Sequence, residues 1–200
     1  MTNLTATRKI KILRVVIGLN QGGVQQGVLN LCRGLDPERY EPIVCAIENH
    51  GAIGKEIEQA GFRVIVLGYK RQAWRTIRAL RHLMREQQID IVHASSYHPS
   101  IYARMAAIGA GVPIRLSYEH VVFDHKRRQR VLMNRLLAPF THGYTTVGKA
   151  VAAQVKTWYG YTDQKVHVMH NGVDIQRFKP LVSQEEKQQQ KQRLGFSTTK

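Results

Sequence analysis

Polar clusters that could do chemistry recur just after apolar runs in this sequence. They are Asn20-Gln21-Gly22-Gly23, Gly68-Tyr69, Ala94-Ser95-Ser96-Tyr97-His98, Glu119-His120 and Gly148-Lys149. Gly22 and Gly23 open a helical pattern. Without a Cβ they let a phosphate or sugar approach the backbone, and a helix N-terminus favours negative charge. The same pair serves equally as a plain turn: the loop is not G-x-G-x-x-G, and the acid near the end of the second apolar run is Glu48. His93 and His120 each close an apolar run. Each reads either as a satisfied histidine at a core edge or as a functional group. His120 is the stronger candidate for bonding a phosphate or sugar hydroxyl, or for carrying a proton, because it ends the polar run Ser117-Tyr118-Glu119-His120 and basic residues follow.

Other patterns carry less. Gly143 to Ala150 nearly matches a phosphate-binding loop, but Ala150 lacks the hydroxyl that holds magnesium, and the segment between the glycines reads as a strand. Glu48 and Glu56, eight apart, read as surface carboxylates. No His/Cys cluster has metal spacing, so no metal is expected, and Ser95-Ser96 lies in no G-x-S-x-G elbow. Cys32 and Cys45 sit among apolar residues and read as small buried hydrophobes. That suits a reducing compartment, and the cytoplasm is the expected address.

The 200 residues carry 30 Lys and Arg against 14 Asp and Glu, a net charge of +16, with 43% hydrophobic residues. This composition excludes a disordered, collagen-like or multispanning protein. The charge implies an anionic partner. Between Lys70 and Arg135, 13 basic residues face 4 acidic ones. In the helical stretch 72–88, Arg75, Arg78, His82 and Arg85 share one face, and Ala73, Ile77, Leu80 and Met84 the opposite one. That basic face is either simply solvated or rests on anionic lipid. Arg127, Arg128 and Arg130 form a second basic segment. Nucleic acid is not expected, because no aromatic platform, zinc finger or helix-turn-helix spacing accompanies the charge.

Apolar runs at 10–19, 42–47, 64–67, 89–93, 114–118, 144–147 and 166–169 alternate with helical patterns at 24–35, 53–60, 72–88, 99–110, 127–138 and 150–159. Buried strands separated by helices predict an α/β, doubly wound, mainly parallel sheet of about seven strands, Rossmann-like. Ligands of such sheets bind beyond the carboxyl ends of the strands. Residues 1–170 form this domain. Residues 171–200 read as a linker and the start of a second domain: Asn171-Gly172 signals a turn, and Ser183 to Glu186 a capping box before a polar helix at 184–194.

Several segments resemble the N-terminal half of family 4 glycosyltransferases: Gly22-Gly23 with the helix to Leu35, Ile89 to His93, Val112 to His120, Thr146 to Val151, and Val168-Met169-His170-Asn171-Gly172-Val173-Asp174 with Arg177, Phe178 and Pro180 after it. His170 stands where proline is commoner in that block. The resemblance implies one half of a GT-B enzyme that transfers a sugar, with retention, from a nucleotide-diphosphate sugar to a glycan or lipid-linked acceptor of the cell-envelope polysaccharide type. It further implies that no metal or other cofactor is required. Gly22 and Gly23 would approach the donor phosphates and sugar, and His120 the reacting centre. Asn20, Gln21 and Lys126 are then candidates for acceptor hydrogen bonds. Arg75, Arg78, Arg85, Arg127, Arg128 and Arg130 would hold the domain peripherally on the inner membrane face. The missing C-terminal domain, or a partner chain, would bind most of the donor, so this half alone is expected to be inactive. The alternatives are a non-catalytic Rossmann-like module that binds membrane or polyanion through its basic face, and a nucleotide-dependent oxidoreductase, which the absent G-x-G-x-x-G disfavours.

Overall fold

The structure is a computed structural model describing residues 8–172 and 183–196. Its strands are β1 (Ile10–Val16), β2 (Tyr40–Ala46), β3 (Arg63–Val66), β4 (Ile91–Ser95), β5 (Ile114–Glu119), β6 (Gly143–Thr146) and β7 (Val166–Val168). The helices are α1 (Gly23–Gly34), α2 (Gly51–Gln59), α3 (Ala73–Glu86), α4 (Tyr97–Ala110), α5 (Arg128–Leu137), α6 (Lys149–Tyr159) and α7 (Gln184–Arg193). The strands form one sheet in the order β3-β2-β1-β4-β5-β6-β7, with every neighbouring pair parallel. The expected α/β class and strand number both hold.

Several edges differ from the sequence expectation, and three of them have a visible cause. β1 stops at Val16 because the Leu19 N–H turns to Asn49 O and Leu19 O accepts from Ile53 N. β4 starts two residues late. Gln88 takes φ 52°, the Ile89 N–H closes α3 on Met84 O, and the Asp90 carboxylate accepts from Lys11 N at 2.8 Å and from Arg8. α4 starts at Tyr97, and Pro99 falls within its first turn, where a missing N–H costs nothing.

The helices divide between the two faces. Val16, Val44 and Ala46 pack on Val28, Leu29 and Cys32 of α1 and on Ile53 and Ile57 of α2. Leu13, Val15, Cys45, Val92 and Ala94 point the other way, onto α3 and α4. Tyr144 and Val166 continue that second layer under Val131 of α5 and Val151 and Val155 of α6. Both cysteines are free and buried, and burial pushes the Cys45 thiol up to about 12. α7 is exposed along its length and carries the expected capping box, Glu186 N donating to Ser183 Oγ at 3.1 Å. Val173, Asp174, Arg177, Phe178 and Pro180 lie outside the described residues. Among the described residues no helix is long and apolar enough to cross a membrane.

The α4–α5–α6 layer is tied together by a buried cation. Arg104 is 1% exposed. Its Nε donates to Ser100 O, its Nη1 to Thr141 Oγ1 and Tyr161 Oη, and its Nη2 to Asn134 Oδ1 at 2.6 Å. No carboxylate takes part, so neutral oxygens replace the lost water. Truncation strands these acceptors. Arg104→Ala should therefore destabilise the domain by roughly 3–5 kcal/mol in urea unfolding, whereas Arg78→Ala on exposed α3 should change little.

Candidate functional site at the carboxyl rim

The loop between β1 and α1 is held from below. Gly51 adopts φ +57°, and a Cβ there would lie 2.2 Å from Leu19 O, so only glycine lets α2 start against this loop. Gly22 and Gly23 are under no such constraint. A Cβ on Gly22 would meet the mobile end of Gln25 at 2.7 Å, and one on Gly23 would meet nothing within 4 Å. The fold does not need glycine at either position, which leaves clear backbone as their distinctive property. No side chain caps α1 and no acid lies in its first turn. Its leading N–H groups are therefore open to an anion. Asn20 and Gln21 are exposed beside them.

β4 and then β5 follow β1 across the sheet, so the loop after β5 lies about 10 Å from the glycine loop by strand spacing. Between them stands Ser96, at φ 72° and ψ 164°, where β4 turns sharply into α4. A non-glycine residue there costs on the order of 1–3 kcal/mol. Nothing in the sequence announced that strain. His120 follows β5. Its ring is half-buried beside Tyr118, its Nδ1 is enclosed without a partner, and burial lowers its pKa, so the imidazole is neutral at neutral pH. Glu119, 2% exposed, accepts from the His120 N–H at 3.3 Å. Burial pushes its carboxyl up to about 7.

A separate cavity of about 230 Å³ opens beneath this rim on the α1 face of the sheet. Arg14, His93, Tyr118 and Thr145 floor it, Val24, Gly27 and Leu31 wall one side, and Met169 to Gly172 cover it. Gly22, Gly23 and His120 do not line it, so they share a rim but not this hollow. His93 lies within β4 as this strand is observed, not at its end. Thr145 Oγ1 donates to Ser117 O, so it accepts from His93 Nε2 at 3.1 Å. Burial, and then Arg14, hold His93 well below its usual pKa. The Tyr118 hydroxyl donates to Asn171 Oδ1.

The basic residues are placed unevenly. Arg75, Arg78, Arg127 and Arg128 are exposed. Arg85 also lies outside, but its Nη2 donates to Gly109 O at 2.8 Å, at the carbonyl end of α4. Arg130 departs from the expected membrane-facing set. Its guanidinium stacks 3.5 Å over the Phe123 ring and 4.8 Å over Tyr97, and its Nε is enclosed. Lys126 lines a shallow hollow on α5 with Arg128, Leu132 and Arg135, away from the α1 loop.

A family model described as Glycosyltransferase Family 4 matches residues 21–177. EpsF from Bacillus subtilis (strain 168), named as a glycosyltransferase, is 26% identical over 180 residues, 85% of this chain and 47% of that protein. A glycosyltransferase structure from Rickettsia africae ESF-5 superposes with TM-score 0.70 at 16% identity, covering 96% of this chain and 51% of its own. HepE from Anabaena, solved in complex with UDP, gives TM-score 0.70 at 19% identity, over 93% of this chain and 50% of its own. The chain thus spans about half the length of the relatives it matches.

Glu119 gives this rim a pH dependence. Its folded pKa lies above the ordinary carboxylate value, so its stabilising contribution is complete below about 4.5 and is lost as pH rises through about 7. The loss amounts to about 3 kcal/mol. Glu119→Gln should gain stability over the native chain at pH 8, and little or none at pH 4.5, in urea titrations at the two pH values.

Proposed function

Because the chain belongs to glycosyltransferase family 4, we propose that it is the acceptor-side domain of an enzyme that moves a sugar from a nucleotide-diphosphate donor to a glycan or lipid-linked acceptor, with retention of anomeric configuration. The observation that carries this is the uncapped, glycine-led start of α1 at the same rim as His120. Clear backbone at Gly22 and Gly23 admits the donor phosphates, and the positive end of α1 offsets their charge as the leaving group departs. The neutral His120 orients the reacting centre with the exposed part of its ring. Asn20 and Gln21 serve the acceptor, whereas Lys126 stands apart from them on α5. The reaction calls on no metal. A second domain supplies most of the donor site, and HepE's complex with UDP supports a nucleotide-linked donor.

We place the domain in the cytoplasm, against an anionic leaflet. Beside their basic residues, α3 and α5 expose apolar ones: Trp74 at 72%, with Leu132 and Leu136. Basic and apolar side chains together suit a lipid interface better than charge alone.

Three experiments test these proposals. The purified chain, offered UDP-, GDP- and ADP-sugars with lipid-linked acceptors, should transfer no sugar, and transfer would overturn the half-site assignment. In the two-domain protein, His120→Ala should cut transfer about 100-fold with an unchanged melting temperature. An unaffected rate would remove His120 from the site. Separately, vesicles containing phosphatidylglycerol should retain the chain at low salt and release it at high salt. Trp74→Ala and the pair Arg75→Gln, Arg78→Gln should weaken retention, whereas Arg85→Gln should chiefly cost stability. Retention that is indifferent to these changes would dispose of the membrane proposal.

A further inference from the structure

Arg14 lies in the middle of β1, on the α1 face, and is 3% exposed. Its Nη2 donates to Ser95 Oγ at 3.1 Å, while Nε and Nη1 are enclosed with no partner. No carboxylate forms an ion pair with it among the described residues. The molecule supplies its own contrast. Arg104, equally buried, has every guanidinium nitrogen bonded to oxygen. A buried guanidinium with two unpaired nitrogens is an unfavourable arrangement unless something anionic completes it. Even depressed to about 10 by burial, Arg14 remains charged at neutral pH.

The side chain lines the 230 Å³ cavity beneath the rim, and the rest of the lining matches an anion's needs. His93 is held neutral and Tyr118 is already bonded to Asn171, so neither brings a negative charge. Among the described residues, neither Asp nor Glu lines the cavity. Val24, Leu31 and Met169 make the remaining wall apolar. We propose that this cavity is a binding site for an oxyanion carried on a small apolar body, a phosphate monoester or a carboxylate, with the Arg14 guanidinium as its anchor. The site is distinct from the glycine loop at the rim and does not depend on the function proposed above. Sequence alone offers no pointer to it, since Arg14 is one basic residue in an apolar strand pattern.

Phenyl phosphate and benzoate are suitable probes, with sodium chloride at matched ionic strength as the control. Thermal unfolding of the chain should shift upward with the concentration of at least one of them beyond the chloride effect. A response to phenyl phosphate alone identifies a phosphate site, and one to benzoate a carboxylate site. Arg14→Met should melt no lower than the native chain, because it removes an unpaired buried charge, and its affinity should fall by at least about tenfold. If Arg14→Met does not fold, Arg14→Lys, which keeps the charge but not the placed donors, should show the same loss of affinity. Gly22→Val should leave the response intact. A native chain indifferent to both probes would overturn the proposal. So would a response that survives in the Arg14 variants, or one abolished by Gly22→Val, which would assign the anion to the rim.

Discussion

The handedness of the connections between parallel strands is the constraint on which this molecule is built. A right-twisted strand that feeds a helix and returns to a parallel neighbour packs only one way round. From β1 the chain steps outward through β2 to β3, and those crossovers lay α1 and α2 on one face. It then crosses to β4 on the other side of β1 and steps toward β7, so the same hand lays α3 to α6 on the opposite face. The reversal between β1 and β4 opens the carboxyl rim at the place where the glycine loop, Ser96 and His120 meet.

The same constraint leaves the α1-side surface of β4 to β7 without a helix among the described residues. His93, Tyr118 and Thr145 lie on that surface, on β4 to β6, and Arg14 adjoins it from β1. On the helix-covered side, the polar groups of the sheet are absorbed by neighbours: Ser117 pairs with Ser100 of α4 at 2.6 Å, and Arg104 is bonded throughout. Beside the uncovered side, under α1, the Arg14 guanidinium keeps two nitrogens unpaired. Satisfied polar groups hold layers together, and unsatisfied ones call for an explanation.

Positioning at the rim comes from backbone rather than from side-chain chemistry. Gly51 brings the start of α2 against Leu19, and the Asn49 and Ile53 backbone groups fix that loop. Ser96 holds a strained turn that a hydrogen bond from its N–H to Tyr118 O, on β5, supports. Gly22 and Gly23, free of any packing demand, can then face outward.

By itself the sequence determined the α/β class, the seven strands and the order of helices between them, because continuous apolar runs and amphipathic periods are local and repeat along the chain. It also marked the glycine loop and His120, since position after a strand is a local property. It missed Gly51 and Ser96, whose strain exists only where two segments meet. It took Arg130 for a surface charge, when Phe123 and Tyr97 draw it inward. It passed over Arg14, Glu119 and Arg104 as individuals. Whether a buried charge is satisfied depends on which oxygens the fold brings to it from residues tens of positions away. That is a fact of tertiary structure, because hydrogen bonds are spent across the sheet and not along the chain.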